Sequence, residues 1–188
     1  ITGRFVRKDE KEAFNWYMKA ARQKRPESQF CIAMMYKAGL GIDKNYAEAF
    51  KWFQEAAKQG FPEAQLGLGE MYYSKDGGEN YPEAVKWFQL AADQDETDAM
   101  VALAQCYESG KGVMKNKKVA RRWYEKAASK GNRNALNILR DKKIQELEEK
   151  LIPRMNASAQ ERKVARYILD RIASGSSVEA VFDESALK

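Results

Sequence analysis

Few side chains in this sequence could take part in covalent or acid–base chemistry. The 188-residue chain contains no histidine, so it lacks the usual general base at neutral pH and the commonest zinc ligand. Serine and cysteine nucleophiles have no histidine to activate them, and the sequence contains no phosphate-binding loop or dinucleotide fingerprint. Catalysis would have to use carboxylates and lysines alone. The enzyme hypothesis, a histidine-free hydrolase acting on cell-wall material, is therefore less favoured than a binding function.

Two cysteines and two Gly-x-Gly loops are the remaining chemical candidates. Cys31 and Cys106 lie 75 residues apart, which suits neither a disulfide framework nor a metal cluster, and we expect two buried, inert thiols. The loops at residues 39–41 and 110–112 precede helices and could bind an anion, but both recur in register, which indicates turns. The sequence therefore predicts no cofactor and no metal site.

The elements that must position any binding residues come from a repeat. Four tryptophans are separated by 36, 35 and 36 residues, and paired alanines keep the same spacing. These tryptophans are Trp16, Trp52, Trp87 and Trp123. The chain has 26 alanines against 18 valines, isoleucines and threonines together, which favours helices over strands. The spacing predicts an all-α chain of repeated helix pairs.

Each repeat is predicted to contain a helix A, a glycine loop and a helix B. In helix A of the third repeat the buried stripe is Ala64, Leu68, Gly69 and Tyr72. In helix B of the second repeat it is Ala49, Trp52, Phe53, Ala56 and Ala57. We therefore expect the tryptophans to be core residues and not a stacking platform for nucleic acid.

The turns after helix B are predicted to be of two kinds. Gly60 and Gly131 stand where a helix ends in a left-handed residue. Lys24 and Asp95 occupy the equivalent positions, and a left-handed conformation is less favourable for them than for glycine, so we expect their turns to differ.

The pattern Ala, Leu-Gly, Tyr, Gly-x-Gly, then Ala, Trp, Ala-Ala and Gly resembles the SEL-one-like repeats (SLR), relatives of tetratricopeptide repeats. The resemblance covers residues 3–139, with a first repeat that has only helix B, so we expect the sequence to begin inside a larger array. It implies a right-handed αα-solenoid of four repeats of about 36 residues, acting as a non-catalytic adaptor or scaffold for protein assemblies. It also favours the bacterial envelope, the periplasm or secretion over the cytoplasm.

Three regions are predicted: the repeat solenoid at residues 1–139, C-terminal helices at 140–175 and a tail at 176–188. The first C-terminal helix is expected to stop at Pro153, and the second to open with a capping box at Ser158. The apolar face of the second helix is Val164, Ala165, Ile168, Leu169 and Ile172. These helices are expected to cap the last repeat, and the alternative is a dimer or partner-docking interface. The longest apolar run has seven residues, which excludes a membrane span.

The side of helix A that faces away from the predicted core is the first candidate binding site. In related solenoids helix A lines the concave face, where peptides bind. Its residues vary between repeats and mix apolar groups with acids, which is typical of a groove for a protein or peptide partner. This helix A strip comprises Phe30, Met34, Lys37, Leu66, Glu70, Tyr73, Val101, Gln105 and Glu108. The alternative is that its apolar residues are partly buried and the nearby acids stabilise helix N-termini.

A basic segment is the second candidate. Residues 111–143 contain twelve lysines and arginines against two acids, whereas the whole chain has a net charge of +6. Five of these residues form a basic patch near the start of the last helix B: Lys115, Lys117, Lys118, Arg121 and Arg122. The patch is either a solvated outer helix face or an electrostatic module that binds an anionic lipid, a glycan or, least favoured, nucleic acid.

Overall fold

Helices account for all the regular secondary structure in the described residues. The structure is a computed structural model that describes residues 2–75, 78–151 and 159–173, and these ranges contain nine α-helices and no strand. The helices are α1 (Thr2–Arg22), α2 (Pro26–Ala38), α3 (Tyr46–Lys58), α4 (Pro62–Tyr73), α5 (Tyr81–Asp93), α6 (Thr97–Ser109), α7 (Lys117–Ser129), α8 (Arg133–Leu151) and α9 (Ala159–Ala173). Among the described residues, no helix combines the length and apolarity that crossing a membrane requires.

The chain divides into two compact units, Ile1–Trp123 and Tyr124–Lys188. In the first unit the helices pack in chain order, from α1 against α2 to α5 against α6. In the second unit α8 packs against α9. Helix α8 runs without a break through residue 139, where the sequence pattern ends the solenoid. The predicted stop at Pro153, the cap at Ser158 and the tail at 176–188 lie outside the described residues.

The second unit follows its predicted pattern in part. Ile144 of α8 and Leu169 of α9 are buried, as expected for apolar faces that meet. Arg140 joins the two helices through an ion pair with Asp170, with 3.7 Å between Nε and Oδ1. Val164, which the sequence places on the apolar face of α9, is exposed.

Small residues set the close spacing of the helix pairs in the first unit. A Cβ atom on Gly67 would lie 2.5 Å from the ring of Phe53, and one on Gly69 would lie 2.5 Å from the ring of Phe88. Real Cβ atoms do not approach rings so closely, so these positions must be small. The small and aliphatic positions of the predicted stripes are confirmed here, since Ala49, Ala64 and Leu68 are fully buried, whereas Tyr72 is half-buried.

The tryptophans are not the core residues that their spacing predicts. Trp52, Trp87 and Trp123 are half-buried, and 64% of Trp16 is exposed. The residue after tryptophan is the buried one, with Phe53, Phe88 and Tyr124 at 0%, 3% and 1% exposure. Adjacent residues are about 100° apart on a helix, so the two side chains cannot both point into the core.

The turns after helix B all have the same conformation, so the prediction of two kinds is wrong. Gly60 and Gly131 have φ values of 87° and 86°, as expected, but Lys24 and Asp95 are also left-handed at 62° and 69°. The backbone N–H of Lys24 donates to Ala21, and that of Gly60 donates to Ala57. The hydrogen bonds that end the helix therefore fix the left-handed conformation of the turn. At Lys24 and Asp95 this conformation brings Cβ close to the following carbonyl oxygen, which costs free energy.

Replacing Lys24 with glycine should relieve this strain. We expect Lys24→Gly to raise the free energy of unfolding by about 0.5–1 kcal/mol, because the side chain is exposed and the left-handed conformation costs glycine nothing. Urea unfolding followed by circular dichroism measures the change. The control is Gly60→Ala, where a Cβ meets no atom within 4 Å and backbone strain alone should lower stability by a similar amount. Unchanged or lower stability of Lys24→Gly would contradict the strain.

The Gly-x-Gly loops are turns, as their recurrence in register predicts. Gly39, Gly41, Gly110 and Gly112 all have left-handed φ values, between 70° and 83°. The second glycine of each loop also touches the preceding repeat, because a Cβ on Gly112 would overlap the carbonyl oxygen of Tyr81. Each such loop therefore holds two neighbouring repeats together.

A methyl group at Gly112 should be far more damaging than one at Gly60. We expect Gly112→Ala to lower the free energy of unfolding by about 3 kcal/mol, against about 1 kcal/mol for Gly60→Ala. Both positions are left-handed, so the difference isolates the contact with the Tyr81 backbone. Denaturant unfolding of the two variants side by side measures it, and equal losses would show that this contact is unimportant.

Candidate protein-binding surface

The helix A strip lies on three helices whose ends are fixed by local sequence. Helices α2 and α4 begin with Pro26 and Pro62, whose rings suit a first helical turn. Helix α6 is capped by Glu96, whose side chain accepts a hydrogen bond from the backbone of Asp98. Left-handed glycines end α2 and α6, so the strip residues are held on rigid, well-defined helices.

The structure leaves three residues of the strip exposed. Met34 is 40% exposed, and Glu70 and Gln105 are also exposed. Five others are half-buried: Phe30, Lys37, Leu66, Tyr73 and Glu108. The prediction that Val101 is exposed is wrong, because only 4% of it is accessible. It occupies the position of Phe30 and Leu66, whose longer side chains emerge further from the packing.

An ion pair joins the strip residues of α2 and α4. The Nζ atom of Lys37 donates to Oε2 of Glu70 at 2.8 Å. Both side chains are partly solvated, so the pair contributes less than about 1 kcal/mol and mainly orients the two groups. Strip residues from successive repeats therefore form one continuous surface here.

A second contact connects α4 with the loop after α6. The Nζ atom of Lys111 lies 5.0 Å from the ring centre of Tyr73 and 4.8 Å from that of Tyr81. The two tyrosine rings meet edge to face at 5.0 Å. A hydrogen bond with Tyr81, and then an electrostatic interaction with Tyr73, raise the pKa of Lys111. Lys111 therefore stays protonated at neutral pH and covers part of Tyr73.

The alternative interpretation of the strip holds for some of its residues. The ring of Phe30 lies 6.0 Å from that of Phe53 and 5.6 Å from that of Phe61, so Phe30 takes part in packing. Glu27 and Glu63 lie in the first turns of α2 and α4, where acids favour the helix dipole. The exposed part of the strip is the row of Met34, Glu70 and Gln105.

All five residues of the basic patch are exposed. Asn116 is the N-cap of α7: its side-chain oxygen accepts hydrogen bonds from the backbone N–H groups of Lys118 and Val119 at 3.1 Å. Lys117, Lys118, Arg121 and Arg122 follow within the first two turns of this helix. The patch thus has the position that the sequence predicts, and its binding role stays a prediction.

The two thiols differ in burial. Cys106 is fully buried, and burial raises the pKa of its thiol to about 11, although the charge of Lys111 lowers it. Cys31 is half-buried, so the prediction of full burial is wrong for this thiol. Burial also raises the pKa of Cys31, against a hydrogen bond with Tyr17 that lowers it. The described residues include no group of three or more potential metal ligands.

A network of buried glutamines was missed by sequence reasoning. Gln29 and Gln65 are buried, and each accepts a hydrogen bond from a glutamine that follows helix B, namely Gln59 at 2.6 Å and Gln94 at 2.8 Å. Gln65 also donates to the carbonyl oxygen of Ala57 at 3.3 Å, so it links the ends of α3 and α5. The sequence repeat could have revealed this network, because the glutamines of both pairs recur at the spacing of the tryptophans. In the fourth repeat the buried position holds Met100 instead.

The difference in burial predicts different reactivity of the thiols. In single-cysteine variants at pH 8, Cys106 should react with an aromatic disulfide reagent at least about tenfold more slowly than Cys31, because raised pKa and full burial leave little accessible thiolate. Stopped-flow absorbance in native buffer measures both rates. Unfolding in urea should make them equal, and a Cys106 rate close to that of a free thiol in native buffer would contradict its burial.

Comparison with known proteins agrees with this architecture. A family model described as Sel1 repeat matches residues 2–24, 26–61, 62–96 and 97–132. Among solved structures, a Sel1 repeat protein from Oxalobacter formigenes shares 32% identity at a TM-score of 0.68, covering 92% of this chain and 67% of the other. A protective antigen of uropathogenic Escherichia coli with an SLR fold shares 34% at a TM-score of 0.66, covering 70% of this chain.

Further similarity extends to Helicobacter pylori cysteine-rich protein B, with 25% identity and a TM-score of 0.55, covering 71% of this chain and 96% of the other. The chain spans 28% of the length of the Escherichia coli antigen. A search of curated proteins gives no match.

Proposed function

The chain belongs to the Sel1 repeat family, and from that premise we propose that it is a non-catalytic scaffold that binds a protein or peptide along the helix A strip. Sel1 repeat proteins generally act as scaffolds for protein interactions. The observation that carries the proposal is the exposed row of Met34, Glu70 and Gln105, which occupy the same position in three successive repeats. The row combines an apolar, an acidic and an amide side chain on one rigid framework.

The contrast between framework and row supports a binding role. The packing positions of helix A keep their character in every repeat, for example Ile32, Leu68 and Leu103, all fully buried. The exposed position changes its chemistry completely from one repeat to the next. Folding alone demands nothing of an exposed side chain, whereas recognition of a defined partner demands different groups at different places.

The charges of the row indicate the chemistry of the partner. Lys37 is neutralised by Glu70, so the strip offers no isolated cation between α2 and α4. The second oxygen of the Glu70 carboxylate can still accept a hydrogen bond. We infer a partner segment with an apolar side chain at Met34 and a basic or amide donor at Glu70.

The experiment changes the row without touching the packing. The row variant combines Met34→Asp, Glu70→Lys and Gln105→Glu, all at exposed positions, and circular dichroism should show an unchanged fold. Phe30 and Tyr73 are left intact because their rings pack against neighbouring rings. The wild-type chain with a photo-crosslinking residue at position 34 identifies the partner, and titration of that partner measures affinity. We expect the row variant to bind at least about tenfold more weakly.

The matched control changes an equal number of exposed residues on the basic patch, with Lys117→Glu, Lys118→Glu and Arg122→Glu. This variant should keep its affinity for the crosslinked partner. Loss of binding in the patch variant together with full binding by the row variant would overturn the proposal and favour the electrostatic module instead.

A further inference from the structure

The start of α7 departs from the charge pattern of the other repeats. Helices α2 to α6 each carry an acid in the first turn, where it is favoured by the helix dipole. The described first turn of α7 contains no acid and begins with Lys117 and Lys118. Cations at this end of a helix are unfavourable, so the stability of the helix does not explain why they stand there.

The equivalent positions of the other repeats show how a cation on helix B is normally neutralised. In α3 the Nζ atom of Lys51 lies 2.6 Å from Oε1 of Glu48, and α5 contains the same pair one repeat later. In α7, Arg122 takes the position of Lys51 and Val119 takes that of Glu48. Arg122 forms no ion pair with the residues that the structure describes. The change from acid to valine therefore leaves this cation uncompensated within the described chain.

The cations of α7 share one side of the helix. Adjacent residues are about 100° apart and residues four positions apart about 40°, so the four span about 140°. They are the exposed residues Lys117, Lys118, Arg121 and Arg122. Ala120, on the other side of the helix, is buried. The helical part of the basic patch is thus one continuous charged surface that faces solvent.

An exposed apolar side chain precedes this surface in the loop before α7. Met114 is 88% exposed, whereas the equivalent position in the second repeat holds Asp43. The loop is fixed at its end, because the backbone N–H of Asn116 donates to the carbonyl oxygen of Tyr107 at 2.7 Å. A methionine is therefore held in solvent directly before Lys115, at a position where the fold accepts an acid.

We propose that Met114 and the basic patch together form a docking surface for a membrane that contains anionic lipids. The cations contact the lipid phosphates, and Met114 enters the boundary between headgroups and acyl chains. The two contributions are complementary. Attraction between the cations and the lipids is screened by salt, whereas burial of the methionine side chain is not.

The composition of the surface favours lipid over nucleic acid or an acidic protein. Three of its five cations are lysines, whose compact charges suit a diffuse layer of phosphates better than the bidentate contacts that arginine makes. Single-stranded nucleic acid stacks on exposed aromatic rings, but Trp123 of α7 is half-buried and Tyr124 is buried. An acidic protein segment would need a matching pocket for Met114, whereas a membrane surface accepts charged and apolar groups side by side.

The first experiment measures binding of the full chain to vesicles by co-sedimentation. The anionic vesicles contain equal parts of phosphatidylglycerol and phosphatidylcholine, and vesicles of phosphatidylcholine alone are the neutral reference. We expect saturable binding to the anionic vesicles alone. The patch variant, with Lys117→Glu, Lys118→Glu and Arg122→Glu, should bind them at least about tenfold more weakly. Met114→Ser, which leaves every charge in place, should weaken binding at least about threefold.

A matched control separates the patch from the net charge of the chain. It reverses three exposed lysines at equivalent positions of the other repeats, with Lys44→Glu, Lys51→Glu and Lys86→Glu. Its net charge equals that of the patch variant, yet its binding should stay within about threefold of the wild type, because the cations of α7 are intact. The row variant keeps the net charge of the wild type and should bind the vesicles equally well, so this surface is tested independently of the proposed function.

The proposal would be overturned if the anionic vesicles bound no better than the neutral ones, or if the matched control lost as much binding as the patch variant. Unchanged binding by Met114→Ser would overturn it as well. Duplex DNA and poly-glutamate are tested alongside as the other anionic probes. Tighter, patch-dependent binding to either of them than to the vesicles would show that the occupant is a nucleic acid or an acidic protein and not a membrane.

Discussion

One contact determines the spacing of the first unit: an aromatic ring of helix B lies against a glycine on a neighbouring helix A. Phe53 meets Gly67 and Phe88 meets Gly69, both too closely for any larger residue. A ring buried in this way contributes about 1.5–3 kcal/mol, and the two helices must lie close together where the ring meets the glycine. The buried alanines fit this geometry, because a larger side chain at a position that faces a ring would push the helices apart.

Close helices leave little room for the segments that join them, which explains both the turns and the buried glutamines. The turn after helix B is left-handed whether it holds glycine, Lys24 or Asp95, because the same backbone hydrogen bonds end each helix. Carbonyl oxygens at these ends point into the packing, and a buried polar group needs a partner. Gln65 supplies one for Ala57, and Gln94 in turn satisfies Gln65. Apolar packing fixes how far apart the helices lie, and the glutamines fix how their ends are aligned.

Repetition in register is why the sequence alone predicted the helices, the glycine loops and the small-residue stripes. Prediction failed where the burial of a residue depended on the direction in which its side chain points from the helix. Trp52 and Phe53 belong to one apolar stripe, and only the packed structure shows that the phenylalanine points at the paired helix. The prediction that Val101 is exposed was wrong because burial at this position depends on how far each side chain reaches past its neighbours. The ion pair of Lys37 and Glu70 joins two repeats, so no local pattern could reveal it. The period placed Met34, Glu70 and Gln105 at one equivalent position, but only the structure shows that this row of the strip is the exposed one.

The packing scheme places different demands on different positions of helix A. Positions that face a ring must be small, so Gly69 has Ala33 and Ala104 as its equivalents, and a large aliphatic residue precedes each of them. The exposed position has no such constraint, and it holds Met34, Glu70 and Gln105 in three successive repeats. A repeat protein can therefore vary the chemistry of its exposed row without any change in its internal contacts.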